Sequence, residues 1–200
     1  GSEMCIRDSL CALALTGCLL PGMAEANTVH GPGAAATGSG STAVGDSTKA
    51  VGSNSVAVGP LTTSNGVNSA AVGYDAKTDA TAENSVAIGR GAHAGGQKRV
   101  GEQYSASTIA IGNIAYAAEN GDVVIGRQAT STVSQYHNQE GSSAVVMGSE
   151  AHSYGSRGDV VLGSGAEANI IRKGATNPLD NPEYSQSIAC LLYTSPSPRD

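Results

Sequence analysis

The sequence contains no tryptophan and no phenylalanine, and seven tyrosines are its only aromatic residues. A thick globular core leans on bulky aromatic and leucine side chains, because the stabilisation from burial scales with apolar area. Here alanine and valine supply most of the apolar content, and such side chains fill thin layers. Basic residues are also scarce, with 11 Lys and Arg against 17 Asp and Glu and a net charge of −6. The two signs are interspersed and form no basic stripe, so a nucleic-acid partner has no electrostatic support. The four histidines are far apart and lack metal-ligand spacing. A recurring Gly-Gly-x-Gly-x-Asp, the mark of calcium-binding β-rolls, is absent as well. No metal and no cofactor are expected.

Cysteine is nearly absent once the ends of the chain are set apart. Glu3-Met4-Cys5-Ile6-Arg7-Asp8 and Cys190-Leu191-Leu192-Tyr193-Thr194-Ser195 can be encoded by one DNA word read on opposite strands. That word is similar to the adapter of transposase-based sequencing libraries. Residues 1–9 and 190–200 are therefore read as adapter translation and left out of fold reasoning. Residues 10–26 hold a short apolar run, then Pro21-Gly22 and the small-x-small pattern Ala24-Glu25-Ala26. This pattern reads as a truncated secretory signal peptide, too short to span a bilayer, with the mature chain starting near Asn27. Leu15-Thr16-Gly17-Cys18 offers a rival reading as a lipoprotein processing site. Cleavage after Ala26 leaves no cysteine in the mature chain, which excludes a disulfide framework and a thiol nucleophile. Residues 27–40 form a Gly/Ala-rich N-terminal segment. No later segment is long and apolar enough to cross a membrane as a helix.

What the sequence does have is repetition. Short β-branched runs end at Gly45, Gly52, Gly59, Gly73, Gly89, Gly112, Gly126, Gly148 and Gly163. Ser55-Val56-Ala57-Val58-Gly59, Ser85-Val86-Ala87-Ile88-Gly89 and Thr108-Ile109-Ala110-Ile111-Gly112 show the form. The spacings are 7, 7, 14, 16, 23, 14, 22 and 15 residues. The base unit is thus about fourteen residues, with half-units of seven at the start. Two strand-plus-turn halves make one flattened coil, and stacked coils make a solenoid. The 27 glycines do not fall at every third position, so collagen is excluded. Disorder would not repeat β-branched residues at set places before glycine.

Within a run, alternate side chains face opposite ways: Val86 and Ile88 to one side, Ser85 and Ala87 to the other. Neither side is charged, so both need cover, and a second subunit is the natural source. Glycine at the strand end supplies a tight or left-handed turn. The third residue after it is alanine in six consecutive units, at Ala76, Ala92, Ala115, Ala129, Ala151 and Ala166. The fourth varies freely (Lys77, His93, Tyr116, Thr130, His152 and Glu167), which places it on the outer wall. Three units carry insertions. Gly95 to Ser107 holds Lys98, Arg99 and Tyr104; Ser131 to Ser143 holds Tyr136 and His137; and 170–186 holds Tyr184. The ligand-contact candidates are therefore Arg90, His93, Lys98, Arg99, Tyr104, Tyr116, Tyr136, His137, His152 and Tyr184. They are chosen for outward position, for charge, and for the preference of contact surfaces for tyrosine.

Asn54-Ser-Val-Ala-Val-Gly59, Asn68-Ser-Ala-Ala-Val-Gly73 and Asn84-Ser-Val-Ala-Ile-Gly89, with Gly89-Arg-Gly-Ala-His-Ala94 and Gly163-Ser-Gly-Ala-Glu-Ala168, carry a family likeness. Over residues 41–189 the chain resembles the YadA-like head repeats of trimeric autotransporter adhesins of Gram-negative bacteria. The resemblance implies an all-β, left-handed parallel β-roll of three chains side by side, displayed on the cell surface. It also implies attachment to host matrix proteins or cells, or to like heads on other bacteria, and an outer-membrane anchor beyond this fragment. The long insertions and the seven-residue start depart from the pattern and leave the binding face open. Two other classes remain: a spacer or phage-fibre-like shaft without its own ligand, and a hexapeptide-repeat acyltransferase. The acyltransferase needs hexads in tandem and a histidine with an orienting partner, and the sequence supplies neither.

Overall fold

In a computed structural model the described residues are 27–95, 107–132, 143–153, 158–168 and 188–190, and all their regular structure is β-strand. Each coil lays down one three-residue and one two-residue strand. The longer strands are β1 Thr28–His30, β3 Thr42–Val44, β5 Val56–Val58, β7 Ala70–Val72, β9 Val86–Ile88, β11 Ile109–Ile111, β13 Val123–Ile125, β15 Val145–Met147, β17 Val160–Leu162 and β19 Ile188–Cys190. The shorter are β2 Ala35–Ala36, β4 Lys49–Ala50, β6 Thr63–Ser64, β8 Lys77–Thr78, β10 His93–Ala94, β12 Tyr116–Ala117, β14 Thr130–Ser131, β16 His152–Ser153 and β18 Glu167–Ala168. Odd strands form one sheet and even strands the other, each in simple chain order. All pairings are parallel and in register, as in Val86↔Ile109 and Ala87↔Ala110. The all-β parallel roll expected from the repeats is the fold found.

The core between the sheets is one side chain thick. The middle residue of each odd strand points into it: Ala43, Ala57, Ala71, Ala87, Ala110, Val124, Val146 and Val161 are all fully buried. From the other sheet come Ala50, Ser64, Thr78, Ala94, Ala117, Ser131, Ser153 and Ala168, together with the recurrent alanines that precede the even strands. The expected partition of Ser85-Val86-Ala87-Ile88 holds, with Ser85 and Ala87 inside and Val86 and Ile88 outside.

Two readings of the repeat need correction. Gly52 does not close the same kind of run as the other eight glycines. It follows β4 in the even sheet, and its φ is not positive. Each initial half-unit is therefore one strand of a two-strand coil. Gly59 shows why the main column must be glycine. Its φ is +117°, and a Cβ there would meet the carbonyl oxygen of Gly73 in the next coil at 1.9 Å. Secondly, the roll begins before residue 41. β1 and β2 fall within the segment set apart as 27–40 and pair in register with β3 and β4. Its glycine and alanine content is that of a coil, since glycine at the corners and alanine inside are what a thin coil requires.

The interior is also more polar than the alternation suggests. Ser64, Ser69 and Thr78 form a buried hydroxyl triangle with oxygen separations of 2.8, 2.9 and 3.2 Å. These hydroxyls separate a small alanine cluster around Ala43, Ala50 and Ala57 from the longer one running from Ala87 to Ala168.

Candidate functional site

A residue that opens an even strand points away from the core, because its successor points inward. Register then stacks these outward residues into one line: Lys49, Thr63, Lys77, His93, Tyr116, Thr130, His152 and Glu167. Parallel coils sit ~4.8 Å apart, so side chains on neighbouring coils touch. The His93 and Tyr116 rings meet edge to face with centroids 5.1 Å apart. His93 Nε2 lies 2.9 Å from Asp79 Oδ1. Burial, and secondarily the Asp79 charge, raise the Tyr116 phenol above its ordinary value, so it stays a neutral donor at physiological pH. Lys77 pairs with Asp75 at 3.0 Å on the same side of the roll. His152 stands further along the line, beyond Thr130.

The wall thus brings together His93 and Tyr116, and keeps His152 apart from them. Arg90 is elsewhere. It lies in the turn after β9, and its carbonyl accepts from Ile114 N at 2.8 Å. The same corner holds the Arg127–Glu150 ion pair two coils on. Asp79 escaped the sequence reading. Its signal was its place two residues after Lys77, beside the outward position of the next coil. Lys98, Arg99, Tyr104, Tyr136, His137 and Tyr184 lie outside the described residues. Their attachment points do not. The three insertions leave after β10, β14 and β18, always on the connection from an even strand to the next odd strand, and on alternate coils. Among the described residues no three His, Cys, Asp or Glu side chains gather as a metal ligand set. Among the same residues, no helix is long and apolar enough to cross a membrane.

The other broad surface is chemically different. The outward residues of the odd strands include Val56, Val58, Val72, Val86, Ile88, Ile109, Ile111, Val123, Ile125, Val145, Met147, Val160 and Leu162. Ile88, Met147 and Leu162 are 40%, 41% and 38% exposed. One sheet therefore offers a polar, histidine- and tyrosine-bearing wall, and the other an apolar one.

These features define a class: a parallel β-roll repeat protein with chemically distinct outer walls. Residues 36–62, 50–76, 64–92 and 80–97 match the family model for the YadA head domain repeat (2 copies), so this stretch of coils is similar to the YadA head family. It is a non-enzymatic adhesin family of the trimeric autotransporter type, with an extracellular head and an outer-membrane autotransporter architecture, and its heads typically form homotrimers. No curated protein matches the chain.

Proposed function

We propose that this chain is the head of a surface-displayed trimeric adhesin, without catalysis, that attaches a bacterium to host matrix protein, to a host cell-surface receptor, or to like heads on other bacteria. The observation that carries the proposal is the contrast between the two outer walls. A methyl-sized group contributes only about 0.8 kcal/mol on burial. Ordering one residue costs about 1–2 kcal/mol. An alanine core one side chain thick therefore leaves the single chain short of stabilising area. Covering the valine, isoleucine, methionine and leucine of the odd sheet with two further chains supplies that area, and leaves the even-sheet wall and the insertion corner outward. The truncated signal peptide and a C-terminal anchor beyond residue 189 belong to the same reading, as does a division into head repeats over 41–189 extended by the first coil.

Contact falls to His93, Tyr116 and His152 on the wall, to Arg90 at the opposite corner, and to Lys98, Arg99, Tyr104, Tyr136, His137 and Tyr184 on the insertions. Binding is multivalent, since three identical faces act together, so weak single contacts suffice. The direct test is solid-phase binding of the trimer to collagen, fibronectin, laminin and whole cells, repeated after each insertion is replaced by a short turn. Loss with one deletion locates the site. Retention with all three assigns contact to the wall. Absence of binding and of self-association makes the head a spacer.

A further inference from the structure

In the interior column formed by the residue before each odd strand, Asp122 follows Ser41, Ser55, Ser69, Ser85 and Thr108 and precedes Ala144 and Asp159. In a short turn the backbone N–H of this position bonds to a carbonyl three residues back, as in Ser55 to Gly52 and Asp122 to Glu119, both at 3.2 Å, while Ser41 shares its N–H between Gly38 O at 3.2 Å and Asn27 Oδ1, one coil back, at 3.1 Å. A buried N–H left alone is costly, and on the two connections that carry the first and second insertions this N–H has a side-chain acceptor on the neighbouring coil. At the first insertion the Thr108 N–H donates instead to Ser85 Oγ, one coil back, at 2.9 Å. At the second, the Ala144 N–H donates to Asp122 Oδ1, also one coil back and also at 2.9 Å. Asp122 Oδ2 accepts from Ser131 Oγ at 2.6 Å and from the Glu119 N–H at 2.9 Å. Ser131 closes β14 and Ala144 precedes β15, so one carboxylate, 1% exposed, holds both feet of the connection between them.

We propose that Asp122 is a pH-responsive clasp on the base of the second insertion, and that the Ser85 clasp on the first insertion is its pH-insensitive counterpart. An ionised carboxylate is acceptor-only and serves three donors at once. When protonated, one oxygen becomes a donor, and at least one of the three bonds is given up. The bonds that remain lose their charge assistance. Burial pushes the Asp122 carboxyl up to about 6. The Ser131, Ala144 and Glu119 hydrogen bonds work against that rise, and the Glu119 charge adds to it. Among the described residues the titratable groups facing Asp122 are Glu119, on its own turn, and Asp159, two coils along the column with Ala144 between. The inward residues of β12 and β14 are Ala117 and Ser131, which do not titrate. The chain changes charge here in the mildly acidic range, while Ser85 and Thr108 do not change at all. The use of this clasp in attachment rests on reading the insertions as contact loops. Its test does not, because ligand binding and exchange at Ala144 can each fail without the other.

The experiment is amide hydrogen exchange on the full chain from pH 7.5 to pH 5, with protection corrected for intrinsic exchange at each pH. Protection of the Ala144 amide is expected to fall about tenfold or more as the charge-assisted bond is lost, with a midpoint near 6. Protection of the Thr108 amide is expected to stay constant. Asp122→Ser, which restores the residue found at Ser55 and Ser69, removes the pH response at Ala144, and Glu119→Gln keeps it. Constant protection at Ala144 in the wild-type chain overturns the proposal, and needs no variant to fold. So does a response that survives in Asp122→Ser, or one that Thr108 shares equally.

Discussion

Single positions in this roll are set by where the backbone must turn. Gly59 combines a φ of +117° with a neighbouring coil's carbonyl where a Cβ would stand. Gly59→Ala is therefore expected to cost about 3 kcal/mol or more in a urea melt, because backbone strain and backbone overlap add. Ile114 is the converse case: a β-branched residue at φ 57°, half exposed, in a left-handed corner that favours glycine or asparagine. Such a conformation costs about 1–2 kcal/mol, and glycine returns part of the gain as unfolded-chain entropy. Ile114→Gly should stabilise the fold by about 0.5–1 kcal/mol in the same melt. Asp122 makes stability depend on pH. Its folded value of about 6 lies above the ordinary 3.8. The stabilising contribution of the neutral form is thus fully present below 3.8 and is lost as pH rises to about 6. At 1.36 kcal/mol per pH unit that gap is worth about 3 kcal/mol. Asp122→Ser, after the loss of its hydrogen bonds, should be about 1–2 kcal/mol more stable than wild type at pH 7.5, with no gain below pH 4. Thermal melts at the two pH values read both.

At the scale of the element, each coil is a pair of strands too short to stand alone, held by parallel neighbours on both sides. β14 pairs with β12 and β16, and β15 with β13 and β17. Both ladders thus run through the described strands on either side of the connection between β14 and β15. Replacing residues 133–142 by a short turn should leave the far-ultraviolet circular dichroism unchanged and shift the melting temperature by no more than a few degrees. A collapse of the spectrum would show that the insertion is part of the roll. This division was legible in the sequence. Glycine spacing gave the coil, the alternation in Ser85-Val86-Ala87-Ile88 gave the inward face, and the six alanines marked the second sheet. The roles of Gly52 and of residues 28–36 were not legible, because a two-residue strand carries too little pattern to tell one sheet from the other. Asp79 and Asp122 were missed for a related reason. Each matters only through a partner one coil away in space, 14 residues distant for His93 and 22 for Ala144. Asp79 left a local signal in its place two residues after Lys77, whereas the spacing around Asp122 does not point to Ala144.

For the whole molecule, the two walls divide the work. The even sheet carries charge, histidine and tyrosine, and the odd sheet carries a continuous apolar field from Val56 to Leu162. A field of that kind is where the proposed trimer would close, and the thin alanine core is the reason the proposal makes that closure a condition of stability. Ile111, in the middle of the field on β11, lies in the sheet opposite the one that carries His93, Tyr116 and His152. Ile111→Asp would bury a charge in the shared core, so assembly should fail while the even-sheet wall stays chemically unchanged. The most direct measurement is sedimentation velocity on the chain and on Ile111→Asp at micromolar concentration. A species of three times the chain mass that is lost in Ile111→Asp is the predicted result. A folded wild-type monomer with the apolar sheet open to water would contradict it.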